Sequence, residues 1–129
     1  MIIMREITNE ELISKAKSVA KFKKIGDVII GNVGSALVTN KNNIYLGVCI
    51  EACCGIGFCA EHSAISNMLT SKEYTIKRIV AVSRDGKIMP PCGRCRELIY
   101  EISGRNLDTE IILGKNKILK LRDLLPHPW

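Results

Sequence analysis

The sequence predicts an α/β fold: a single mixed sheet of about five strands sandwiched by helices in an α-β-α arrangement. Three observations point to it. Short runs rich in valine and isoleucine alternate with longer amphipathic stretches. Glycine and asparagine clusters punctuate the boundaries. Two cysteine-bearing segments each open a helix, and these helices alternate with strands instead of gathering at one end of the chain.

Each element follows from its residues. Residues 7–22 read as a helix, because Thr8 and Glu11 form a capping-box pattern ahead of an apolar stripe through Leu12, Ala16, Val19 and Phe22. Residues 23–32 read as a glycine-punctuated connection. Residues 33–39 and 44–50 read as a hairpin around the turn Asn40-Lys41-Asn42-Asn43. Residues 51–58 read as a loop, and residues 59–71 as a helix beginning near Cys59. Residues 76–83 form a strand closed by Asp85-Gly86. Residues 91–103 read as a second helix, starting near Cys92 and stopped by Gly104. Residues 109–114 and 117–121 are strands around a Gly-Lys-Asn-Lys turn, and residues 121–126 a short terminal helix. The whole chain, residues 1–129, is read as one domain. Such a length buries a core without disulfides.

Composition narrows the function. The chain is 47% hydrophobic and 25% charged, ordinary values for a globular protein. No apolar run reaches membrane-spanning length, and the N-terminus turns acidic within its first dozen residues, so a cytoplasmic location without a secretory leader is expected. The net charge of +6 attracts anions, but the lysines are scattered, and only 5% of residues are aromatic. A nucleic-acid partner is therefore not expected. Six cysteines, at 49, 53, 54, 59, 92 and 95, point in a reducing compartment to metal binding or catalysis before disulfides. Cys53 and Cys54 receive no role.

The chemistry concentrates in Gly57-Phe58-Cys59-Ala60-Glu61-His62 and in Pro90-Pro91-Cys92-Gly93-Arg94-Cys95. Thiolates are soft donors that favour zinc. Two cysteines spaced by two residues at a helix start turn both sulfurs toward one point, and the helix N-terminus stabilises thiolates. Three readings remain open on spacing alone. Cys59, Cys92 and Cys95 with water as fourth ligand make an open site, over which Glu61 projects as a proton carrier. Adding His62 as fourth ligand makes a closed structural zinc site with no chemistry. The Cys92/Cys95 pair alone matches a redox motif, although a thioredoxin-like domain needs most of its sheet after that motif.

Cys-Ala-Glu followed by Pro-Cys-Gly-Arg-Cys resembles the zinc-dependent cytidine deaminase family, in the small three-cysteine form that includes blasticidin S deaminase. The likeness runs from about Val33 to Trp129, through Val-Gly-Ser-Ala-Leu, the loop into Cys59, and the closing Leu-Leu-Pro. It implies a zinc cofactor held by Cys59, Cys92 and Cys95, with Glu61 shuttling the proton as water displaces the amino group at C4 of a cytosine ring. It implies base contacts from the Ala60 backbone and the Pro90 carbonyl, and a sugar contact from Glu51. It implies that Trp129 packs near the base, often from a neighbouring subunit, and hence a homotetramer acting on a small-molecule nucleoside.

The chain also departs from the family's pattern. Cys49 stands where asparagine is usual beside the sugar, and it cannot donate the same amide hydrogen bonds. An aromatic residue usual before Val33 is absent. His62 stands where arginine is common; a role hydrogen-bonding the thiolates is expected of it. Arg94 and Arg96 flank Cys95 and add positive field or salt-bridge at the surface. The terminal tryptophan and Gly-Arg-Cys look closer to blasticidin S deaminase, whereas Glu51 looks closer to cytidine deaminase.

Overall fold

The computed structural model describes residues 5–129; the first four residues, part of the N-terminal segment from which the lack of a leader is read, lie outside the described residues. Helix α1 (Asn9–Val19) starts at the anticipated cap, with Thr8 accepting from the Glu11 N–H. Only half of the capping box forms, because Glu11 turns its carboxylate to Arg5. The helix ends three residues earlier than the apolar stripe suggests. The Ala20 and Lys21 N–H groups bond back to Lys17 and Val19 carbonyls, turning the chain toward the sheet.

Residues 23–32 are not a connection. They form β1 (Lys23–Ile25), a Gly26-Asp27 turn, and the first part of β2 (Val28–Thr39). The two lysines of β1 are exposed along a sheet edge, so no alternation of apolar residues marks this strand in the sequence. The hairpin with β3 (Ile44–Glu51) forms around the anticipated turn. Helix α2 (Ala60–Thr70), β4 (Ile76–Ser83), helix α3 (Gly93–Ile102), β6 (Glu110–Gly114), β7 (Lys117–Lys120) and helix α4 (Leu121–Leu124) follow the sequence reading closely. A two-residue strand, β5 (Ile88–Met89), pairs with the end of β4 and was not anticipated.

The sheet is mixed. Its long strands lie in the order β3-β2-β4-β6-β7, extended by the short β1 and β5. All pairs are antiparallel except β4 with β6, whose crossover carries α3. Successive residues of β2 face opposite sides: Leu37 packs with α2, and Ala36 and Val38 pack with α1. Leu12 and Ala16 of α1 meet Val80, Val82 and Ile112 on one face. Ala64, Ile65 and Met68 of α2 meet Ile79, Ile111 and Ile99 on the other. Asn106 is fully buried behind α3. Its side chain accepts from the Ile76 N–H and donates to the Tyr74 and Ile99 carbonyls, joining β4 to the end of that helix. No helix among the described residues is long and apolar enough to cross a membrane.

Gly47 sets how close α2 comes to the sheet. A Cβ at this position would lie 2.2 Å from the Ala64 nitrogen and 2.7 Å from the Ala60 carbonyl oxygen. Ala60 opens α2 immediately after Cys59, so the glycine also sets the height of that helix start. Gly47→Ala is expected to destabilise the fold by about 2–4 kcal/mol and to lower metal content. Gly104→Ala, where an added Cβ meets nothing within 4 Å, is expected to stay within about 0.5 kcal/mol. Urea midpoints of the two variants compare them, and equal midpoints would refute the packing role of Gly47.

Candidate active site

Cys59 and Cys92 are the N-cap residues of α2 and α3, both in extended backbone (φ −69°, ψ 156° and φ −71°, ψ 168°). Neither side chain caps its own helix, so both sulfurs are free to face outward from the helix starts. They approach to 3.4 Å, and with Cys95 all three sulfurs lie within 4.8 Å of one another. Two thiolates on one tetrahedral zinc, each about 2.3 Å from the metal, lie about 3.8 Å apart, so the spacing suits the ion. It is far beyond a sulfur–sulfur bond, and all six cysteines are free thiols.

The electrostatics point the same way. Burial pushes the Cys95 thiol strongly upward, reinforced by the charges of Glu61, Cys59 and Cys92. Burial also raises the Cys59 thiol, with Cys92 adding to the effect. At Cys92 burial is outweighed by N–H groups of Cys95 and Arg94 and by the neighbouring thiols, which bring its thiol below the usual range. Three crowded sulfurs, two of them held neutral by burial and one already inclined to ionise, suit a divalent cation that neutralises them together. Among the described residues these three cysteines are the group of donors that gathers for a metal, and His62 is not in it.

A cleft of about 400 Å³ opens beside the cluster. Glu61 lies in its floor, 5% exposed, with its carboxyl pushed up by burial. Cys59, Ala60, Pro90, Cys92 and Arg94 line the same cleft, and Cys49 and Glu51 line it from β3. The Cys49 sulfur accepts the Val33 N–H at 3.2 Å, and Glu51 accepts from the Asn32 amide at 2.8 Å.

Other residues fall elsewhere. The His62 ring stacks on Phe58, with centroids 4.8 Å apart, and makes none of the anticipated hydrogen bonds to the thiols. Its Nδ1 is buried without a partner, and the ring lines a separate cavity of about 310 Å³ with Arg94, Glu97 and Glu101. Phe58 draws the ring away, since the two stand four apart across the helix start. Arg96 does not line the cleft and makes no salt bridge among the described residues. Its guanidinium donates to the Pro91 and Leu124 carbonyls and clamps the loop before α3 to the end of α4. Trp129 is 91% exposed and outside the cleft of its own chain, with its N–H donating to Glu97. Cys53 and Cys54 are exposed in a short 3₁₀ turn. Sequence reasoning missed Val33, Phe58 and Met89 as lining residues. Only the position of Phe58 directly before Cys59 offered a signal.

Comparison with known proteins agrees with this geometry. Residues 6–109 match the family model described as the cytidine and deoxycytidylate deaminase zinc-binding region. A cytidine deaminase of Halalkalibacterium halodurans is 31% identical over 83 residues, covering 64% of this chain and 61% of that protein, so the match spans under two thirds of the relative's length. A blasticidin-S deaminase of Bacillus cereus is 32% identical over 107 residues, covering 74% of each chain. The crystal structure of a cytidine deaminase from Mycobacterium leprae superposes with a TM-score of 0.79 at 26% identity, covering 95% of this chain and 100% of that one. With the family model spanning most of its length and three sulfurs gathered at two helix starts, this chain belongs to the cytidine and deoxycytidylate deaminase zinc-binding family.

Proposed function

We propose that this chain is a zinc-dependent hydrolytic deaminase that converts cytidine or deoxycytidine to uridine or deoxyuridine. The observation that carries the reading is a group of three thiols within 4.8 Å of one another, two of them lining the same cleft as the buried carboxyl of Glu61. In this reading Cys59, Cys92 and Cys95 hold the metal. Zinc, when bound, supplies Lewis acidity and lowers the pKa of a coordinated water to about 7. Glu61 takes the proton that water gives up and delivers it to the departing nitrogen. The water oxygen bonds to C4, its second proton ends on ring N3, the C4–N bond breaks, and ammonia leaves a C4 carbonyl. Burial suits Glu61 to this work, because a proton held away from bulk water goes to the substrate.

The other lining groups take binding roles. The Ala60 N–H and the Pro90 carbonyl contact the base and its amino group. Glu51 accepts from a sugar hydroxyl, and Cys49 offers a weakly polar surface beside it. Arg94, at the mouth, offsets thiolate charge. His62 acts on the thiol cluster through its stacking on Phe58, which steadies the residue before Cys59. A volume of about 400 Å³ suits a ligand of nucleoside size.

A second substrate, a blasticidin-S-type aminopyrimidine nucleoside, is favoured by Gly93-Arg94-Cys95, the terminal tryptophan and the likeness to the Bacillus cereus enzyme. The chain acts as one domain and assembles as a homotetramer in the cytoplasm, in pyrimidine salvage. The free indole of Trp129, exposed at the chain end, supports an intersubunit contact.

Three outcomes test this function. Glu61→Gln is expected to keep its zinc and lose roughly 10²- to 10⁴-fold in turnover, read as ammonia release. Retained activity would remove the proposed proton carrier. His62→Ala is expected to keep about one zinc per chain by metal analysis, as an open three-ligand site requires. Release of the metal would instead favour a closed structural site. A screen of cytidine, deoxycytidine, cytosine and blasticidin S should give turnover of at least one nucleoside, and silence from all four with zinc present refutes the deaminase reading.

A further inference from the structure

The part of the cleft lined by β2 and β3 is shaped by an irregularity in β2. Pairing with β3 runs to Ile30 opposite Ile50 and resumes at Gly34 opposite Val48, so residues 31–33 face Cys49 alone. Gly31 permits this bulge. Its φ is +83°, and a Cβ there would lie 1.8 Å from the Lys21 carbonyl oxygen, so no other residue fits without a backbone shift. The bulge has two effects on the cleft. The Val33 N–H finds no β3 carbonyl and reaches the Cys49 sulfur. The Asn32 side chain turns along β3 to its last residue, where Nδ2 donates to Glu51 Oε1 at 2.8 Å. A carboxylate only accepts, so the amide nitrogen is the atom that faces it. On its other side Asn32 is anchored through its carbonyl, which accepts the Arg84 N–H at 2.8 Å. Bulges beside functional sites re-aim side chains in this manner.

Glu51 lines the cleft and Asn32 does not. We propose that Asn32 is a positioning residue that holds the Glu51 carboxylate ready for a sugar hydroxyl, and so sets the enzyme's preference for hydroxylated over hydroxyl-free sugars. The inference rests on the cleft being a nucleoside site. Glu51 is exposed at the end of its strand, and a glutamate there left alone samples many rotamers that binding must then freeze. Asn32 occupies one oxygen and restricts those rotamers in advance. The other oxygen carries no hydrogen bond among the described residues and is left to accept from substrate. The neighbouring lining, Val33, Cys49 and Ile50, offers no competing charge. A neutral amide suits the task. A lysine would neutralise the carboxylate, and an aspartate would repel it.

The test uses the zinc-loaded full chain with cytidine and 2′,3′-dideoxycytidine, measuring both turnover and equilibrium binding. Asn32→Ala is expected to raise KM and Kd for cytidine roughly tenfold with kcat within about twofold, and to leave dideoxycytidine unchanged. Asn32→Asp should do the same or more. Adding Asn32→Ala to Glu51→Ala should cost nothing further, because the two act through one contact. Zinc content matching wild type confirms that each variant is folded at the site. Equal weakening of both nucleosides, a fall in kcat alone, or additive losses in the double variant would overturn the positioning role. Normal turnover with cytidine binding indifferent to Asn32 sinks this inference alone. Hydroxyl-dependent binding that weakens in Asn32→Ala, without any ammonia release, sinks the deaminase reading and upholds this one. Failure to bind either nucleoside overturns both.

Discussion

Three sulfurs must come within 4.8 Å of one another although Cys59 and Cys92 are 33 residues apart in sequence. That requirement organises the rest of the molecule. The sulfurs sit at the starts of two helices, and a helix start is where unpaired N–H groups and the helix dipole make thiolate charge tolerable. The starts in turn meet because both helices lie on one face of one sheet. Gly47 lets α2 come down onto β3, and Arg96 fixes the loop that leads into α3. Loosening either contact moves a sulfur while leaving each helix intact.

The cleft has two walls of different character. On one side, backbone conformation does the work. Cys59 and Cys92 occupy the cap positions, and Glu61 follows within the first turn, where the helix start places it against the sheet. On the other side, side-chain contacts dominate. A bulge in β2 hands the Val33 N–H to Cys49 and the Asn32 amide to Glu51. The first wall carries the thiols of Cys59 and Cys92 and the carboxyl of Glu61. On the second, the sulfur of Cys49 is a weak acceptor that takes the Val33 N–H. The bulge wall is thus set by strand register, and the thiol wall by two helix starts.

Most of the fold was legible because the core strands and helices carry strong periodicity. Residues 76–83 read as a strand and are one, since Ile79, Val80, Ala81 and Val82 are buried alternately on the two faces. The failures share a cause. Residues 23–32 carry lysines and glycines that hide an edge strand, and β5 is too short to show a pattern. His62 also illustrates the limit of spacing. Cys-x-x-His is as good a zinc half-site as Cys-x-x-Cys on paper, but the ring stacks on Phe58 instead.

By itself the sequence determined the donor types, their spacing along the chain, and the helix starts that carry them. These are local properties, written in caps, periodicity and residue chemistry. Only the tertiary structure decided which donors share a point in space, that Arg96 braces a loop, that Trp129 lies outside its own cleft, and that Asn32 belongs with Glu51. Those facts depend on strand register and on a bulge enabled by one glycine at positive φ. A register shift moves side chains between faces without changing any local preference, so residue order alone carries no reading of it.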